Sequence, residues 1–171
     1  MKWTDKNDYP NADAPPFLGD MPIYIALDSS DAWAHPQRLM INKDGQPSHI
    51  AGVPPDYFSA DGQLWGNPLY DWDYHKATGY RWWIERIQHA CGQTPLVRID
   101  HFRGFEAYWS VPYGETTARN GEWITGPGDS LFVALREAMG TLPIVAEDLG
   151  VITPAVDRLR DNHALPGMVV C

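Results

Sequence analysis

Leu96-Val97-Arg98-Ile99-Asp100 decides how this chain is to be read. The run follows Gly92 and Pro95, is too short for a helix, and ends on charge. It reads as a short buried strand whose polar groups gather at the carboxyl end. Just before it, Trp83, Ile84, Ile87 and Cys91 are spaced for one buried face of a helix over 80–91, with Thr78 as its cap. After it comes a Trp- and Gly-containing loop. A second helix follows from Ser130 to Met139, with Leu131, Phe132, Leu135 and Met139 on its apolar face and Gly140 ending it. Leu142–Ala146 is another strand, running into Glu147-Asp148-Leu149-Gly150, and Thr153-Pro154 opens a third helix. Pro166–Val170 begins a further strand, and Met21–Leu27 is an earlier one. Short apolar strands alternating with amphipathic helices predict an α/β fold of parallel βαβ units. In such folds the chemistry sits where strands finish, here at Asp28, Asp100 and Glu147.

Residues 1–18 are polar and broken by Pro10, Pro15 and Pro16, so an irregular leading segment is expected. Residues 28–76 hold turn signals such as Asp44-Gly45, Pro54-Pro55, Asp61-Gly62 and Gly66-Asn67-Pro68 but almost no periodicity. They read as a long, loop-rich, structureless insertion carrying binding groups. The formal net charge of -9 argues against a nucleic-acid partner. No basic run or long apolar stretch points to a membrane, and Cys91 and Cys171 read as reduced thiols, so a cytoplasmic protein is expected. No His-x-x-x-His, phosphate-loop or serine-elbow pattern occurs, so neither a metal nor a cofactor is called for.

Arg98 and Asp100 lie two apart on one strand and leave the same face. An arginine beside a carboxylate favours its ionised form, which a nucleophile needs. Glu147 follows the apolar Pro143–Ala146, whose desolvation suits a general acid. Two carboxyls in opposed environments at neighbouring strand ends are what retaining glycosidic chemistry uses. The same spacing also reads as a plain ion pair. His101 joins the site if the chain turns at the strand end, or is a structural histidine. The loop from Pro54 to Pro68 offers aromatic faces and polar groups for sugars, and reads equally as an aromatic-pinned surface loop. Trp82, Trp83 and Trp109 read as packing residues.

Taken in order, GDMPIYIALDSSDAW, AGVPPDYFSADGQLWGNPLY, GYRWWIERI, LVRIDHFRGFEAYW, IVAEDLGVITPAVDRLR and LPGMVV resemble the amylomaltase, or 4-alpha-glucanotransferase, family of the α-amylase clan. The likeness covers roughly residues 19–170. It implies a partial (β/α)8 barrel, about strands three to six, over residues 19–171, with 28–76 as a substrate-binding excursion. It implies transfer of α-1,4-glucan segments between maltodextrins with retention, through a covalent glucosyl-enzyme intermediate. Asp100 would be the nucleophile and Glu147 the acid/base. Arg98 would orient Asp100, His101 would contact the sugar, and Asp20 would support the site from the start of its strand. Asp56, Tyr57, Phe58, Gln63 and Trp65 would belong to the acceptor-side groove. The family's third carboxylate, in a His-Asp-Asn motif, is not found, and residues 1–18 do not match what precedes the third strand. The expectation is therefore a fragment with open sheet edges, completed by a second chain or by self-association. An inactive, maltodextrin-binding remnant and a hydrolase of the same clan are the competing readings.

Overall fold

The structure, a computed structural model, describes residues 17–168. In chain order its first elements are β1 (Leu18–Pro22), α1 (Ser30–Ala34), β2 (His49–Val53), β3 (Gln63–Pro68), α2 (Trp72–Ala77) and α3 (Arg81–Gln93). Then come β4 (Leu96–Asp100), β5 (Ala107–Pro112), β6 (Glu122–Thr125), α4 (Asp129–Met139), β7 (Ile144–Ala146) and α5 (Pro154–Asn162). Short 3-10 turns cover Pro36–Arg38 and Phe102–Phe105. The described residues form two compact units, the first drawn from residues 17–23, 79–106 and 127–168, the second from 24–78 and 107–126.

The first unit is the expected parallel α/β arrangement. Its sheet has the order β1-β4-β7, all parallel, with Asp20 opposite Arg98, Pro22 opposite Asp100 and Arg98 opposite Val145. Along β4 burial alternates: Val97 and Ile99 are buried, Arg98 and Asp100 only half-buried. One face of the strand thus packs and the other presents charge. The packed side is aromatic. Trp83 of α3, Phe102 and Phe105 of the turn after β4, and Phe132 of α4 meet with ring centroids 5.2–6.0 Å apart. All four are fully buried. Such offset and edge-on contacts add about 0.5–1.5 kcal/mol per pair to area burial. α5 begins as its sequence predicts, with the Val156 amide donating to Thr153 Oγ1 and proline in the first turn.

The second unit is an antiparallel sheet of order β3-β2-β5-β6, with Ile50, Val111 and Ala118 buried against Leu64 and Trp109. At Gly52 a Cβ would lie 2.5 Å from the Gln63 carbonyl oxygen, so the closeness of β2 to β3 leaves no room for a side chain. Trp109 donates its indole N–H to the Ala118 carbonyl at 2.8 Å. His75 is fully buried, hydrogen-bonded through Nε2 to the Arg38 carbonyl at 3.1 Å.

Several sequence expectations are corrected. The earliest strand lies at 18–22, not 21–27: beyond it the carbonyls of Pro22 and Ile23 accept from the Arg86 guanidinium at 2.6 and 3.0 Å. Ile23 and Tyr24 are buried without being paired in a sheet, so the apolar run marks burial, not pairing. Asp28 consequently stands at no strand end. Residues 28–76 are not structureless; they contain two helices and two strands of the antiparallel sheet. The loop after Asp100 likewise holds β5 and β6. Thr78 closes α2, its hydroxyl donating to the carbonyls of Tyr74 and His75, whereas α3 starts from Tyr80 in a left-handed conformation. The leading segment expected over 1–18 falls almost wholly outside the described residues, as do the last residues of the strand expected over 166–170. Among the described residues no helix is long and apolar enough to cross a membrane.

Candidate active site at the ends of the parallel strands

Arg98 is the hub of the first unit's charged face. Its Nη2 donates to Asp100 Oδ1 at 2.5 Å and its Nη1 to Asp20 Oδ1 at 2.6 Å. Its Nε points at the sulfur of Met168, 3.3 Å away. The two carboxylates come together because β1 and β4 run parallel in a register that sets Asp20 beside Arg98, while Asp100 is two residues further along β4. Burial works against the arginine's charge, but its hydrogen bonds and proximity to Asp20 and Asp100 outweigh that and raise its pKa above the ordinary value. Arg98 is therefore a permanent cation. Asp100 keeps about half of its side chain open (46% exposed), so the pairing does not close it off from an incoming molecule.

Glu147 follows β7 directly and is fastened to the end of β4. Its amide donates to the Ile99 carbonyl at 3.1 Å, and its carbonyl accepts from Phe102 N–H at 3.2 Å. Its carboxylate accepts two further N–H groups, His101 on Oε2 at 2.9 Å and Leu149 on Oε1 at 3.0 Å. The first of these exists because His101 turns the chain with φ 58° and ψ 47°. A non-glycine residue held there costs on the order of 1–2 kcal/mol, and such strain concentrates at functional sites. The His101 ring is pushed down to a pKa of about 4, first by burial and then by the Arg103 charge, with Asp100 opposing. It is uncharged at neutral pH.

The five loop candidates lie in the second unit. Asp56 Oδ1 accepts from the amides of Phe58 at 2.8 Å and Ser59 at 2.7 Å, so it shapes the turn. Tyr57 and Phe58 stand edge to face, 5.5 Å apart, and are almost fully exposed (97% and 93%). Gln63 Oε1 accepts from the Trp65 indole at 3.1 Å, and Trp65 packs near Tyr24. Gln63 and Trp65 are strand residues of β3, not loop residues. Asp20 sits in the middle of β1, not at its start. Trp83 is core, as its spacing predicts, while Trp82 is half-buried and Arg86 lies 5.1 Å over both rings.

Two residues around the site escaped sequence reasoning. Arg103 is buried and donates to the Val151 carbonyl at 2.5 Å, tying the turn after Asp100 to the loop after Glu147. Asp148 is ion-paired with Arg160. The charge of Arg103 so close to Phe102 and Phe105, and the second carboxyl beside Glu147, were the available signals.

Comparison with known proteins agrees with the motif order. The family model described as 4-alpha-glucanotransferase matches residues 1–171. A 4-alpha-glucanotransferase of Synechocystis is 55% identical over 99% of this chain and 34% of its own length. One from Thermus thermophilus is 54% identical over 90% of the chain and 31% of its own length. The amylomaltase of Streptococcus agalactiae, solved in complex with acarbose, superposes with a TM-score of 0.86 at 48% identity, covering 88% of this chain and 30% of that one. The chain spans about a third of the length of these relatives. The match includes the first eighteen residues, which the motif reading had set outside the resemblance. Since it runs through the whole sequence and not through one motif, the chain belongs to the 4-alpha-glucanotransferase family.

Proposed function

We propose that this chain carries the nucleophile and the acid/base of a 4-alpha-glucanotransferase that moves α-1,4-glucan segments between maltodextrins. The observation that carries the reading is the pair of strand-end carboxylates in unlike settings. Asp100 is bound to a cation yet open, and Glu147 is held by two backbone N–H groups one strand away. In this reading Asp100 attacks the anomeric carbon while Glu147 protonates the departing glycosidic oxygen. The product is a glycosyl ester on Asp100. Glu147, now a carboxylate, takes the proton of an acceptor hydroxyl, which attacks the same carbon and releases Asp100. Two inversions give net retention. Arg98 orients Asp100, Asp20 shares that arginine, and the uncharged His101 ring hydrogen-bonds a sugar hydroxyl.

The exposed rings of Tyr57 and Phe58 suit the apolar C–H faces of pyranoses, and Gln63, Trp65 and the Asp56 turn belong with them to acceptor binding. The complex of the Streptococcus agalactiae relative with acarbose supports a glucan-like ligand here as well. The chain is read as about strands three to six of a (β/α)8 barrel, the three described parallel strands among them, with residues 28–76 as its substrate-binding excursion. The remaining strands come from another part of the protein or from a complementing chain.

The test is incubation of the purified protein with maltotriose and chromatography of the products. A ladder of longer maltodextrins with glucose, lost in Asp100→Asn, supports the reading. Glucose and maltose without a ladder mean a hydrolase. A folded protein that binds maltodextrin but turns nothing over means a binding remnant.

A further inference from the structure

Asp148 has no task in the reaction just described, yet it is far more enclosed than either carboxylate on Arg98. Its side chain is 7% exposed, against 65% and 46% for Asp20 and Asp100. One carboxylate oxygen pairs with Arg160 of α5, an arginine shared with Asp157 at 3.1 Å and Asp161 at 2.9 Å. The other accepts the Met168 amide at 2.8 Å. The chain wraps this carboxylate closely: a Cβ on Gly167 would lie 2.3 Å from Asp148 Oδ2. Met168, anchored in this way, sets its sulfur 3.3 Å from Arg98 Nε. Arg98 therefore has a partner on each of its three nitrogens: Met168 on Nε, Asp20 on Nη1 and Asp100 on Nη2. A planar guanidinium gripped at three points cannot rotate about its own axis without breaking one of them.

We propose that Asp148 is a positioning residue for Asp100, acting through the Met168 backbone and the Arg98 guanidinium to hold the nucleophile at its attack angle. The proposal rests on the reading of Asp100 as nucleophile. Arg160 has the complementary task of balancing the charge of Asp148, so that a second bare carboxylate does not stand next to Glu147. Loss of the anchor frees Met168, opens one side of Arg98 and lets Asp100 move by a fraction of an ångström. Substrate binding needs none of these contacts, so the loss is expected in kcat and not in KM.

The experiment compares Asp148→Ala, Asp148→Asn and Gly167→Ala with the parent protein, using maltotriose as substrate and the NMR exchange rate of the Arg98 Nε–H as a readout independent of turnover. Asp148→Ala is expected to lower kcat by about tenfold to a hundredfold, as small misplacements of reacting groups do, with KM within about twofold. Asp148→Asn keeps an oxygen for the Met168 amide and is expected to recover most of the rate. Gly167→Ala crowds Asp148 Oδ2 without removing its charge, and is expected to fall with Asp148→Ala. Arg98 Nε–H exchange is expected to speed up in both alanine variants. Wild-type kcat in a folded Asp148→Ala protein overturns the proposal. If that variant does not fold, wild-type kcat in Gly167→Ala overturns it. Equal losses in the alanine and asparagine variants also overturn it, because charge and not the anchor would then be the cause. If the parent protein transfers no glucan, the functional reading fails, and the exchange readout alone decides: unchanged protection in both alanine variants sinks the positioning role.

Discussion

At the scale of single residues, the unusual one is His101. Its side chain was the sequence's candidate, but its backbone does the holding: the left-handed turn aims its N–H at Glu147 Oε2. Backbone and ring are separable by substitution. His101→Gly keeps the turn without strain, so Glu147 is expected to stay in place and any loss of activity to come from the ring alone. His101→Val puts a β-branched residue where such residues are rarely tolerated. It is expected to cost on the order of 1–2 kcal/mol in urea unfolding beyond the glycine variant, and to lower kcat further by loosening Glu147. Equal stability of the two variants would contradict the account. If Glu147 is the acid/base, as proposed, Glu147→Gln is expected to drop kcat by about 10²–10⁴-fold with the fold intact by circular dichroism.

Among the elements, the aromatic contact of α3, α4 and the turn after β4 is the firmest part of the first unit. Phe132→Ala is expected to cost about 3–5 kcal/mol in chemical denaturation, since its ring touches both Phe102 and Phe105 in full burial. A loss under 1 kcal/mol would mean the cluster is not packed as described. The helices were legible because leucine, phenylalanine and tryptophan recur at helical spacing, with α4 ending at Gly140 and α5 opening at the Thr153 cap. β4 and β7 were legible as short apolar runs ending in charge. What escaped was of two kinds. β1 was placed about three residues late because apolar content tracks burial, and Ile23 and Tyr24 are buried outside the sheet. β2, β3, β5 and β6 were missed because turn signals crowd the short strands of each pair, and the pairing that joins them is long-range: His49 faces Pro112 across residues that no local pattern connects. Arg98, Asp100 and Glu147 were visible as strand-end charges. Asp148 was quoted only as a neighbour, since no local spacing ties it to Met168.

For the molecule as a whole, the two units share one chemical vulnerability. Each buries a histidine that must stay neutral, His75 in the second and His101 in the first, both lowered to about 4, in each case chiefly by burial. A folded pKa below the unfolded value of about 6.5 means that the unfolded chain binds more protons between those values. The stability these rings contribute is complete above pH about 6.5 and is lost as pH falls toward 4. His75 alone is expected to weaken the fold by about 2 kcal/mol between pH 7 and pH 4.5. Urea midpoints at the two pH values check this, and a flat profile over that window would count against burial of the neutral rings.

The second unit is assembled from two stretches with β4 and its turn between them, and that ordering has a bearing on synthesis. β2 gains one neighbour, β3, soon after it leaves the ribosome, and meets its other, β5, only after the chain from Val53 to Ala107 has followed. At roughly 5–20 residues per second those 54 residues take about 3–11 s. Throughout that interval a hydrogen-bonding edge with Ile50 and Ala51 on it stands open on the nascent polypeptide. Chaperone occupancy of stalled nascent chains should therefore peak at lengths that expose β2 and fall once β5 has emerged.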